Sequence, residues 1–464
     1  MTGNGPSPAL AAFVADGASL ATGPAAELAL EAIGDCLGCA LAGHGDRVSG
    51  IVRRAEERSG EGPCSVLGST RRLPAAAAAM VNGTAAHALD LDDNFGPMFG
   101  HASAVLVPPL LALAEERDAT LADLVDVYLI GLEVARFVGE AVSIEHYRRG
   151  WHATSTIGAI AAAAAVARLM RLDSKHCLSA LSIATSLASG SKQQFGFGLK
   201  AAHAGLAARA GLIAAFLASD GLDTTPEPLA GPWGFVALFG GSPEGIEQAL
   251  AGLAAVRAGG PPAIVTHGLK PKLHPCCASA HAALDALLDL ARLHDLAAGE
   301  IAAVTVELRR TSFDNLPFAD PADPMQARFS LPYALAAGLA GGGLRLADFT
   351  PPAVARTELR PLMARITMRV ADTDSPLADP TLSGEPALVR IELQDGRRLE
   401  RLRRYQRGVR AEPFTLAERR RKLADCLAAS PLAARTAEAV ELLLAPDPAM
   451  PVRELMAALT PSGR

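Results

Sequence analysis

The chain has 464 residues and a formal net charge of -6, with 50% hydrophobic, 20% charged and 4% aromatic residues. That is core enough for two or three domains, and too apolar to be disordered. The slightly acidic balance, without a basic, aromatic-rich block, argues against nucleic acid as a partner. The longest charge-free stretches, Thr156–Ala167 and Cys177–Ser191, are too short or too rich in Ser and Thr to read as membrane spans.

The N-terminal decapeptide lacks a positive n-region, so a cytoplasmic chain is expected. Residues 7 to about 260 read as helices, because alanine and leucine dominate and apolar residues recur at helical spacing in Ala25–Leu41, Leu121–Val138 and Ile157–Leu172. Segments this apolar need burial on most sides. Asn82-Gly83, Gly96-Pro97, Gly150, Gly190 and Gly231-Pro232 read as breaks. After Gly259-Gly260-Pro261-Pro262 the pattern changes. Ile301–Leu308, Ile366–Val370 and Ala387–Leu393 alternate like strands, and Asp395-Gly396 signals a hairpin into Arg397–Arg404. A small antiparallel sheet is predicted, with helices at Ala278–Leu293 and Met325–Ala340. From a capping box at Thr415–Glu418 the chain is helical again. The predicted fold is mainly α: a large all-helical domain built from both chain ends, residues 1–266 and 408–464, plus a smaller α/β (α+β) lid, residues 267–407. The seven cysteines read as reduced thiols, and Cys36 and Cys39 as small buried residues.

Lysine is scarce. Of 43 Lys and Arg residues only six are lysine: Lys175, Lys192, Lys200, Lys270, Lys272 and Lys422. An ammonium is a compact donor that can lose its proton when desolvated, which a guanidinium does not do. Four of the six fall between 192 and 272; Lys175 and Lys422 read as surface residues.

Five segments carry chemistry. In residues 87–103, Asp90 and Asp93 would share a helix face, Asp92 adds a third carboxylate, and His101 follows the Gly-Pro break. A carboxylate beside an imidazole makes a tuned acid/base, and Asp90 is the expected partner of His101. A Mg²⁺ reading of these acids lacks the second acidic motif and aromatic cavity it needs. In residues 148–156, His152 precedes Thr154 and Ser155, expected N-caps of the next helix, where an anion is favoured. In residues 190–205, Lys200 and His203 stand three apart at the start of an apolar helix. In residues 269–281, Lys270 and Lys272 suit an anionic substrate, and vicinal Cys276-Cys277 is poor geometry for one metal. In residues 328–333, Tyr333 opens a helix and could donate a hydrogen bond to a carboxylate or hydroxyl.

Taken in order, NGTAAHALDLDDN with HAS, GWHATST, LKAAHAG, HPCC behind a lysine, and FSLPY resemble the MmgE/PrpD family over about residues 80–335. The resemblance implies a discontinuous helical domain with a lid, a homodimer, and a cofactor-independent, metal-free enzyme acting on a small di- or tricarboxylate. It places Asp90, His101, His152, Lys200, Lys272 and Tyr333 around one cleft. Asp90, His101, Lys200 and Tyr333 are the implied catalytic set, and Asn94, His152, His203, Lys272 and Cys277 the implied substrate-binding set. Asn94 and Cys277 stand where some members carry threonine and histidine. Ala278 stands where others carry arginine, so a bidentate carboxylate clamp is missing. The shared chemistry removes a proton α to a carboxylate. Dehydration of a 2-methylcitrate-like hydroxy acid is the first expectation; epimerisation or decarboxylation at the same site is the alternative. A non-catalytic helical scaffold or anion-binding protein is the reading from another class.

Overall fold

The alanine-rich stretches fold into helices whose backbones approach closely, in a computed structural model that describes residues 5–382 and 384–461. The chain is mainly α and divides into two compact units. The first comprises Met1–Gln193, Leu199–Lys270 and Cys426–Arg464, the second Gln194–Gly198 and Pro271–Asp425. The sequence-based boundaries fell at 266/267 and 407/408, whereas the units divide at 270/271 and 425/426, inside the helix Leu416–Ala428.

In the first unit, helix Leu121–Arg148 runs along helix Ala153–Leu169 and packs on Pro243–Arg257. Ala161 to Ala167 have no exposed surface. Small residues set the contact distances. Gly131 sits against Leu106 and Ala165, Gly158 against Val105, and Gly211 against Ala162. Such residues lose almost no side-chain entropy on burial, and their close approach gains dispersion contacts. Gly34 of helix Pro24–Gly43 lies against the carbonyl of Leu443, which joins the C-terminal helix Thr436–Leu444 to this core.

Asn82-Gly83, expected to break a helix, lies inside helix Ala75–Ala88. Gly83 faces Gly205 of helix Gly198–Ser219, and a Cβ on Gly205 would overlap the carbonyl of Met80 and the hydroxyl of Thr84. The glycines are there for a helix crossing, which outweighs their poor propensity. Helix Gly198–Ser219 is long and apolar enough to cross a membrane by length and composition. That apolarity meets the core: 67% of its apolar window is buried inside the unit.

The second unit holds a four-stranded sheet in the order Ile366–Val370, Ile301–Leu308, Ala387–Leu393, Arg398–Arg403. Helices His281–His294 and Leu331–Gly341 pack on it around Val304, Val306, Val389, Ile391, Leu284 and Leu335. The sheet is mixed rather than antiparallel, because Ile301–Leu308 and Ile366–Val370 pair in parallel. A long helical connection joins those two strands, and a crossover of that kind permits parallel pairing where a hairpin does not. The helix expected over Met325–Ala340 is two, Pro324–Ala327 and Leu331–Gly341, separated before Pro332.

All seven cysteines are buried and none forms a disulfide. Lys422, read from sequence as a surface residue, is buried at 5% exposure.

Candidate active site

The site of the first unit begins where helix Ala75–Ala88 ends. His87, in its last turn, is buried among alanines. Three residues on, Asp90 takes a left-handed conformation at φ 52°. This region costs most L-residues free energy, Asp and Asn least, and such strain gathers at functional sites. The turn ends the helix before the acidic run, so Asp90 and Asp93 do not share a helix face as expected. Each of the three carboxylates has a different partner.

Asp92 lies between two imidazoles. Its carboxylate is 2.9 Å from His87 Nδ1 and 3.0 Å from His101 Nδ1. Burial alone would raise the Asp92 carboxyl, but His101 and His87 overcome it and hold the group well below its ordinary value. The His87 Nδ1–H donates to the carboxylate, so the neutral His87 ring keeps its lone pair on Nε2, while His101 Nδ1 stands at ion-pair distance from the same carboxylate. Asp92, not Asp90, therefore orients His101; Asp90 lies 3.9 Å from His101 Nε2. The Asp90 carboxylate instead accepts from the Lys200 ammonium, both groups being buried.

Asp93 turns toward the helix Ser103–Arg117. It accepts from the Ser103 backbone N–H at 3.2 Å and from the Ser103 hydroxyl, which is 2.8 Å from the Tyr128 hydroxyl. Burial pushes its carboxyl up to about 7, against the pull of the Ser103 bonds. Its role is to tie the acidic loop to the start of that helix.

Close backbone approach brings the remaining groups in. The His101 N–H donates to Thr154 Oγ1 at 3.1 Å, and a Cβ on Gly100 would stand 2.8 Å from the Thr154 nitrogen. Thr154 therefore receives the His101 loop. It does not cap its own helix, whose N-cap is His152. The His152 N–H donates to the carbonyl of Gly190 at 3.0 Å, and Gly190, at φ 122°, lies against Ser155. These contacts place His152 Nδ1 2.9 Å from His203 Nδ1. The His87 ring meets that of His101 edge-on at 4.3 Å and stacks on His152 at 5.9 Å.

Four imidazoles thus line up beside one ammonium. Burial, then Lys200 and the neighbouring rings, hold His152 well below its ordinary value; burial, His87 and Lys200 bring His203 to about 4. Burial also lowers His87, although Asp92 pulls the other way. His87, His152 and His203 are thereby held as neutral rings at pH 7, the state of a proton acceptor. Two buried nitrogens, His87 Nε2 and Asn94 Nδ2, make no hydrogen bond. Buried polar atoms of this kind are costly to leave unsatisfied and mark a place where a ligand supplies the missing bonds.

His87, Asp90, Asp92 and His101 bring one ligand atom each within 4.8 Å of one another, a spacing that could hold a metal ion. The Lys200 ammonium already places positive charge on Asp90. Lys270 belongs to a short strand paired with Asn94-Phe95, close to Gly96. Lys192 lies 3.6 Å from the centre of the Tyr147 ring, a cation–π contact.

In the second unit Lys272 is almost wholly buried, at 1% exposure, and its charge helps to lower His281. Cys277 is buried, with its N–H on the Arg328 carbonyl at 2.9 Å. Tyr333 is a core residue whose hydroxyl donates to the carbonyl of Asp348.

The N-terminal domain of the MmgE/PrpD family matches residues 9–248 and its C-terminal domain residues 274–445. The chain belongs to the MmgE/PrpD family. It is 29% identical over 316 residues to cis-aconitate decarboxylase of Homo sapiens, covering 66% of this chain and 63% of that protein. It is 29% identical over 428 residues to the cis-aconitate decarboxylase-like protein oryM of Aspergillus oryzae, 84% of each chain. The cis-aconitate decarboxylase of Aspergillus terreus is 27% identical over 358 residues, 72% of this chain and 71% of that one. The MmgE/PrpD motif residues Asp90, His101, His152, Lys200 and His203 meet in one cluster of the first unit. His87 lies inside a quoted motif yet drew no role from sequence. Its place depends on the left-handed turn at Asp90, which the letters alone do not announce.

Proposed function

We propose that this lyase-type enzyme removes a proton α to a carboxylate of a small hydroxy di- or tricarboxylate and expels the β-hydroxyl, a dehydration. The observation that carries this reading is the Asp92–His101 pair beside Lys200 and Asp90. His101 Nε2 is the base, because Asp92 fixes the proton on Nδ1 and stabilises the imidazolium that forms. Lys200 supplies positive charge where the enediolate-like intermediate gathers negative charge, in a desolvated setting where that charge counts for more. Asn94 Nδ2 and His87 Nε2 complete their hydrogen bonds with the substrate. The neutral His152–His203 pair relays or returns a proton. A homodimer belongs to the same proposal and is checked by light scattering.

Decarboxylation of a related polycarboxylate is the second reading, favoured by the names of the relatives. In that reaction the same cations stabilise the carbanion left by CO₂ loss. The test is ¹H NMR in D₂O with 2-methylcitrate, citrate and cis-aconitate. Deuterium uptake beside a carboxylate with a new alkene supports dehydration. CO₂ release supports decarboxylation, and an inverted centre supports epimerisation. Neither exchange nor product with a wider panel of hydroxy- and imino-carboxylates would sink the catalytic assignment and favour a scaffold.

A further inference from the structure

The second unit encloses a cavity of about 120 Å³ that the proposed reaction does not use. It is smaller than the roughly 300–1,000 Å³ of pockets for drug-sized molecules, so its occupant is small. His274, Asp285 and Lys422 line it and are buried, at 3%, 4% and 5% exposure. Lys422 is one of only six lysines in the chain. Arg292, Arg345 and Arg421 line the same cavity as exposed residues. Gly341, Gly342 and Gly343 form a wall without side chains; Gly342 and Gly343 have φ 65° and 139°, and a Cβ on Gly342 would meet nothing within 4 Å.

The charges decide the sign of the ligand. Five Lys and Arg side chains and three carboxylates line the cavity, and one of the five, Arg292, is paired at 2.7 Å with Asp289 outside it, which leaves four cations to three carboxylates. Two of the carboxylates are already served by Arg407: its backbone N–H donates to Asp285 at 2.9 Å, and its guanidinium pairs with Glu418. Arg421 lends charge to Glu418 from across the cavity wall, and Arg345 gives its backbone N–H, not its guanidinium, to Asp348. The Leu344 N–H donates to His274 Nδ1 at 3.3 Å, which leaves the His274 proton on Nε2, 3.5 Å from Asp285. Donors with a positive excess around a small hollow suit an oxyanion, since planar guanidinium groups bind carboxylate and phosphate through two parallel hydrogen bonds.

We propose that this cavity of the second unit binds a small oxyanion, phosphate or a short carboxylate. The test is calorimetric titration of the full chain with orthophosphate and with malonate, at ionic strength held constant with chloride. Saturable binding of one anion per chain by either probe is expected. The exposed double variant Arg345→Ser/Arg421→Ser is expected to weaken that binding roughly tenfold or more, since charge-assisted bonds are lost. Its melting temperature and turnover should match those of the parent. Lys422→Met removes a buried cation and should weaken binding further where circular dichroism shows it folded. No saturable heat with either anion overturns the proposal. So does unchanged affinity in the double variant, which would place the anion elsewhere, at Lys200 or Lys272.

Discussion

At the residue scale, Asp92 governs the two imidazoles it contacts. An Asp92→Asn change keeps the shape but sets an amide N–H against an imidazole N–H, so His101 loses its fixed tautomer. We expect kcat to fall by roughly 10²–10⁴-fold with a smaller change in KM, measured as α-proton exchange in D₂O. Lys200→Arg keeps the charge but cannot place a compact ammonium on Asp90 in a buried site, and a loss of at least roughly 10²-fold is expected in the same assay. Asp90 and Lys200 form a buried pair, so removing one partner strands the other. Asp90→Asn should destabilise the chain by about 3–5 kcal/mol, and Lys200→Met in the same chain should recover most of that loss. Asparagine tolerates the left-handed conformation, so the cycle reports charge and not backbone strain. Equal and additive losses in urea unfolding would show that the two groups are not coupled. His101, His152, Lys200 and His203 were legible in the sequence as parts of short motifs that, taken in order, resemble the MmgE/PrpD family. His87 and the orienting role of Asp92 were not, because both depend on one residue with positive φ.

At the element scale, the site depends on glycines at helix crossings. Helices Ala75–Ala88 and Gly198–Ser219 touch at Gly83 and Gly205, and this contact carries His87 toward Lys200 and His203. Gly205→Ala would drive a methyl into the Met80 carbonyl. We expect about 1–3 kcal/mol of destabilisation and a loss of turnover with every catalytic side chain still present. Gly299→Ala, where an added Cβ meets nothing within 4 Å, is the neutral control. The same melting temperature for both variants would remove the crossing from the argument. Composition revealed the helices but read Asn82-Gly83 as a break, because glycine lowers propensity and packing then outweighs it. The strands of the second unit were read correctly by alternation, but their mixed order was not. Pairing direction depends on the path of the connection, which alternation does not encode.

At the scale of the whole molecule, buried histidines set the response to acid. Burial lowers His203 and His146 to about 4 and His281 to about 3. In the unfolded chain these rings titrate near 6.5, so between about 6.5 and about 4 the unfolded state binds more protons. Stability is therefore present above pH 6.5 and lost as pH falls through that window, by up to roughly 3 kcal/mol for a single such ring. Asp93, raised to about 7, runs the other way: it favours the folded state most below its unfolded value and less as pH rises to about 7. One carboxyl does not offset three imidazoles, so the urea midpoint should fall from pH 7 to pH 4. His203→Gln should flatten that slope, and a midpoint independent of pH would contradict the neutral, buried state of these rings.

The sequence by itself determined the helical class, the family, and the stretches that carry the chemistry, since these follow from composition, periodicity and local motif. Scarce lysine pointed to the stretch 192–272 without picking the residues, and Lys422, read as a surface lysine, is buried, because scarcity says nothing about burial. The tertiary structure alone decided which carboxylate faces which imidazole, that Tyr333 gives its proton to the backbone, and that Lys422 lines a cavity. Each of these turns on a side chain's direction, fixed by backbone angles and by contacts between residues far apart in the chain.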